Sequence, residues 1–177
     1  MHYVEMSDLQ KLLALLFLKA APQDLRYSPP FTLQLVVVYM LSGIVVLQTT
    51  VNPDDIFAGI FLGLIVQYVF TYSVLRALDK QARFMQTFSA MIGVSILFNL
   101  ISWPIFALLA DESTVESVRA TMSLMFLLVI SWEVLVKAYI FRHALEMRML
   151  GALALSFSLF FISIALSQLL FPAEVAS

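Results

Sequence analysis

The sequence has no cysteine. Disulfides, thiolate chemistry and thiolate metal sites are therefore excluded. It has only two histidines, one of them His2 in the N-terminal tail. Charge is scarce as well. Asp, Glu, Lys and Arg make up 12% of the 177 residues, and the net charge is −2. That is about half the charged share usual in a soluble domain. It leaves no basic surface of the kind nucleic acid requires, so no nucleic-acid partner is expected. No glycine-rich phosphate loop, HExxH, GxSxG or pair of aspartates within one apolar run is present. No catalytic site and no cofactor are expected.

What the chain has instead is apolar length. Hydrophobic residues make up 62% of it, more than one soluble core of this size can hide, and lipid is the natural place for the excess. A helix crosses a hydrocarbon layer about 30 Å thick with roughly 20 residues. Four runs free of Asp, Glu, Lys and Arg meet that length, at Tyr27–Pro53, Ile56–Leu75, Phe84–Ala110 and Met149–Ala173. A fifth, Val118–Phe141, is interrupted by Glu133 and Lys137. The runs are continuous rather than alternating, which favours helices over a barrel. The predicted fold class is an all-α integral membrane protein with five transmembrane helices at 31–50, 56–76, 84–109, 118–141 and 149–171. Pro29-Pro30 suits a helix start. Asn52-Pro53-Asp54-Asp55 and Asp111-Glu112-Ser113-Thr114 read as tight polar turns, and Pro172 stops the last span. A cytoplasmic lead (1–30), one membrane domain (31–172) and a short external tail (173–177) complete the organisation.

Basic residues set the orientation. Lys11, Lys19 and Arg26 precede the first span; Arg76, Lys80 and Arg83 follow the second; Arg142 and Arg148 follow the fourth. The intervening loops carry acids, with Arg119 the one exception at an edge. This alternation predicts a cytoplasmic N-terminus and an external C-terminus.

The lead holds its own helix. Ser7-Asp8 caps a segment predicted to run to Ala21, before Pro22. Leu9, Leu12, Leu13, Leu16 and Phe17 share one face. It is too short to span comfortably and reads as an interfacial amphipathic helix at 7–21, either a foot packed under the bundle or a docking surface. A re-entrant segment or a sixth span is the other alternative. The apolar run Leu12–Leu18, flanked by Lys11 and Lys19, is too short for a cleavable signal peptide.

Glu133 and Lys137 are the candidate intramembrane site, because ionisable groups at that depth are rare and mark function by default. Taking Arg142 as the edge, Glu133 lies roughly 13 Å inside at about 1.5 Å per residue. Lys137 is one turn nearer the edge and can pair with it. Each such charge costs about 2.5–3.5 kcal/mol on insertion, which about a dozen apolar residues offset. The charged face is therefore expected to point into the bundle. The pair either fixes helix register or binds a cation, a proton or a partner's basic group.

Other features are less specific. Gly59-xxx-Gly63 and Ser89-xxx-Gly93 permit close helix approach. Asn99 and Pro104 mark a polar kink position in the third span, and Gln34 and Gln67 are candidates for interhelical hydrogen bonds. Trp103 fits an outer aromatic belt. His143 and Glu146 form a weak two-ligand metal candidate; a headgroup-facing cluster is the plainer reading. With Arg76, Lys80, Arg83, Arg142 and Arg148 they make a basic cytoplasmic face suited to anionic lipid.

Pro22-Gln23-Asp24-Leu25 in the lead, Arg83-Phe84-Met85-Gln86-Thr87 at the third span, Arg142-His143-Ala144-Leu145 after the fourth and Leu170-Phe171-Pro172 at the end give a familiar layout. The chain resembles the small inner-membrane proteins of proteobacteria grouped with the bacterial Yip-type five-span family. The resemblance implies five spans and a bacterial inner-membrane setting. The Asp-Leu-Tyr-Gly-Pro signature and long acidic N-terminal domain of the eukaryotic Yip proteins are missing, so a Rab-type role does not carry over. The leading functional expectation is a non-enzymatic scaffold or accessory subunit that binds other membrane proteins or itself. The alternatives are a small oligomeric transporter or ion-coupled component using Glu133, and a cell-shape subunit of the MreD type.

Overall fold

A computed structural model describes residues 7–48, 53–111 and 113–171. Among these the chain is all-helical, with no strand. Six α-helices follow in order: α1 (Asp8–Leu16), α2 (Pro29–Leu47), α3 (Pro53–Ala77), α4 (Phe84–Ala110), α5 (Glu116–Leu145) and α6 (Met149–Leu170). Short 3₁₀ turns lie at Pro22–Asp24 and Gln81–Arg83. The five helices from α2 to α6 are long and apolar enough to cross a membrane. The expected spans match them to within a few residues. The largest difference is α5, which starts two residues earlier and runs four further, to Leu145. Arg142 and His143 extend its last turn, where positive charge suits the helix dipole. Asn52, Glu112, Pro172 and the tail lie outside the described residues, as does the end of the first span past Gln48.

The helices run alternately, so α3–α4 and α5–α6 both turn at one end, called here the basic end. The central helix is α4. Residues Thr87 to Ile96 are buried without a break, the pattern of a helix surrounded on all sides. It packs against α1, α2, α3 and α5, while α6 covers α3 and α5. Small and polar residues let α4 sit there. The Ser89 and Thr32 hydroxyls lie 2.7 Å apart across α2–α4. Asn99 donates to the Ser42 hydroxyl at 3.1 Å, a bond between helices rather than to its own backbone. Helix α4 continues through Pro104.

The lead differs from expectation. Ser7 and Gln10 form the expected N-cap with a reciprocal capping box, but α1 ends at Leu16, not at Ala21. Leu18 takes a left-handed conformation (φ 59°), and Lys19 N–H reaches back to the Ala14 carbonyl at 2.7 Å. This closes the helix on its own carbonyls. The expected apolar face is also divided. Leu12, Leu15 and Leu16 are buried, whereas Leu9, Leu13 and Phe17 are exposed.

Helix α1 lies alongside α4 and α5 rather than across their ends. Leu12 rests on Gly93, where an added Cβ would collide with the Leu12 methyls. Trp132 Nε1 donates to the Leu16 carbonyl at 3.1 Å, one of the carbonyls a helix end leaves free. The chain then returns to the basic end. There Gln86 Nε2 donates to the Leu25 carbonyl (2.7 Å) and Gln23 Nε2 to the His143 carbonyl (2.8 Å). Arg26 ties the start of α1 to α2, pairing with Asp8 at 2.9 Å and lying 4.5 Å above the Phe31 ring.

Candidate functional site

Glu133 and Lys137 stand one turn apart on α5, and their side chains pair at 2.7 Å. Glu133 lies 12 residues before the end of α5 at Leu145, about 18 Å along the helix. The pair faces the bundle, as expected, and lines a cavity of about 100 Å³ between α3, α5 and α6. Gln67 of α3 and Ser156 and Ser163 of α6 complete its polar wall; Val134, Leu159 and Phe160 supply the apolar part.

Each polar group has a defined state. Ser156 donates to the Val134 carbonyl at 2.7 Å, and Ser163 to the Leu159 carbonyl at 2.8 Å. Their oxygens keep lone pairs free to accept. Gln67 is 5% exposed. Its Oε1 lies 3.5 Å from the Ser95 hydroxyl, at the limit of a hydrogen bond, while its Nε2 has no partner. One turn along, the buried Thr71 hydroxyl is also unpartnered. Gln67 was legible as an interhelical group, but the two serines were not. The available signal was register, since Ser156, Ser163 and Ser167 share one face of α6. Gln34, the other expected interhelical group, is exposed.

The small-residue steps divide. Ser89 and Gly93 are used inside the bundle, taking Thr32 and Leu12. Gly59 has nothing within 4 Å of an added Cβ, and Gly63 meets only the Tyr39 hydroxyl at 3.3 Å. Both line a groove of about 280 Å³ between α3 and α6 instead of a closed contact.

At the basic end, Glu146 closes α5 with a left-handed backbone (φ 55°). Its two oxygens are taken by Lys80 Nζ (2.6 Å) and Arg83 Nη2 (2.5 Å). These hydrogen bonds, with that from Lys80 the larger influence, hold its carboxyl down at about 2, below the ordinary 4.5. Arg83 also donates to the Ala144 carbonyl at 3.0 Å. The α3–α4 turn is thereby clamped to the α5–α6 turn. Of the residues of the expected basic face, Lys80 and Arg83 share the single Glu146 carboxylate, which offsets one of their two charges, His143 is half-buried, and Arg76, Arg142 and Arg148 are exposed. His143 Nδ1 lies 2.9 Å from its own helix's Tyr139 carbonyl. With Glu146 committed to two cations, the two residues do not converge on a metal.

No family model, curated protein or solved structure matches the chain. The likeness to the Yip-type proteins therefore stands on layout and short motifs alone.

Proposed function

We propose that this is a multi-pass protein of the bacterial inner membrane, N-terminus cytoplasmic, that serves as a non-enzymatic accessory subunit binding another membrane protein. The observation that carries this reading is the bare side of α5. From Glu116 to Glu133 the helix has no buried residue, a strip about 25 Å long. Phe126 rests on Phe106 of α4 at 4.8 Å between ring centres. Where the strip meets α1, Phe17, Phe98, Ile101, Leu128 and Trp132 line an apolar groove of about 400 Å³. An apolar helix of a partner fits such a strip, and within lipid its attraction is close packing rather than water exclusion. Cell-shape machinery is one setting for such a subunit.

A photo-crosslinking residue at Leu128, which is 70% exposed, is expected to capture another membrane protein in cells. The same residue at Leu150 on α6 is the comparison. Equal labelling by lipid alone at both positions overturns the reading.

A second reading, a small oligomeric ion-coupled or transport component, is favoured by the polar cavity at Glu133. It predicts that Glu133→Gln abolishes function at normal protein level; loss of the protein itself supports a structural pair instead.

A further inference from the structure

We propose that the cavity beside Glu133 and Lys137 is a binding site for water, filled from the far end of the bundle along the groove between α3 and α6. The first argument is the chemistry of the wall. Gln67 Nε2 is a buried donor without a partner and lies on the cavity. The Ser156 and Ser163 oxygens have spent their protons on backbone carbonyls and can accept. Lys137 keeps protons beyond the one it gives Glu133, and the carboxylate keeps lone pairs. Donors and acceptors are mixed, and the two charges cancel. Such a wall selects a small neutral hydroxylic molecule over an anion or a cation. About 100 Å³ accommodates a few water molecules at about 30 Å³ each, with the two to four polar partners each needs.

The second argument is continuity. Phe160 and Ser163 line both the cavity and the groove of about 280 Å³ beyond it. The groove continues past Gly59, Gly63 and Ser167, with Leu62, Val66 and Ile164 as its apolar wall; at Gly59 an added Cβ would meet nothing within 4 Å. Towards the basic end the route is shut. Phe70 of α3 packs on Phe141 of α5 with ring centres 6.0 Å apart, and Phe141 and Leu75 are fully buried. These contacts close the bundle between the cavity and the basic end.

The proposal rests on membrane embedding, which a C-terminal reporter fusion tests separately. The absence of cysteine makes its own test direct. Ser163→Cys and Phe161→Cys, the latter replacing a side chain 61% exposed on the outside of α6, are made in the full chain and placed in sealed vesicles. A charged, membrane-impermeant thiosulfonate reacts with thiolate, which forms in water and not in hydrocarbon. Ser163→Cys is expected to react at least about tenfold faster than Phe161→Cys, and only from the side of the far end. Gly59→Leu, placed in the open groove, is expected to slow it without lowering protein yield. Equal rates for the two cysteines, as when a lipid tail or a partner helix fills the groove, overturn the proposal. So does reaction from the basic-end side.

Discussion

Glu146 occupies a backbone conformation that favours glycine, yet its side chain is committed to Lys80 and Arg83. Its conformational cost is the condition for a clamp between two turns. The folded-state carboxyl sits at about 2 against an ordinary 4.5, so the native state favours the ionised form. The clamp's contribution is therefore complete above 4.5 and is lost as pH falls towards 2. Thermal melts in detergent should show native protein above Glu146→Gln by a constant margin at neutral pH, with the margin closing in acid. A margin that persists at pH 2 argues against the clamp. Asp79 has the same left-handed backbone (φ 54°) and is exposed, without a comparable ion pair among the described residues. Asp79→Gly should stabilise the α3 terminus by up to about 1 kcal/mol, read as a higher melting temperature.

At the scale of elements, two helices hold the tests. Gly93 on α4 and Leu12 on α1 fill one space. Gly93→Ala should displace Leu12, and Leu12→Ala should open a cavity at a cost of about 2–5 kcal/mol. Together the two changes should cost less than the sum of the separate effects, measured as a coupling energy in a double-mutant cycle. On α5, Lys137→Met leaves Glu133 without its cation and should destabilise the protein by up to about 3 kcal/mol, a lower value than for full burial because both groups are partly exposed. Replacing both residues with Leu should recover much of that in chemical denaturation. The long helices were legible because apolar length alone defines them. The place of α1 was not, because its receivers, Gly93 and Trp132, belong to helices distant in sequence; the small step at Gly93 signals a close approach but does not say which helix fills it. The serine face of α6 was written in the sequence, but only its position opposite Gln67 and Glu133 gives it meaning.

For the whole molecule, the alternation of basic and acidic turns predicts that a C-terminal reporter active only outside the cytoplasm will be active, and one active only inside will be silent. The reverse result removes the proposed topology. The docking of α1 bears on how such a molecule is made. A ribosome delivers residues 8–25 before α2 to α6, and the carbonyl that Gln23 binds lies 120 positions later. Trp132, which holds the Leu16 carbonyl, is 116 positions away. Contacts so distant close slowly and only after the intervening chain exists. Until α4 and α5 have been made, Leu12 and Leu16 lack the Gly93 and Trp132 partners that receive them. A helix made before α4 and α5 is thus placed only after them, and its arrival records that both are in position.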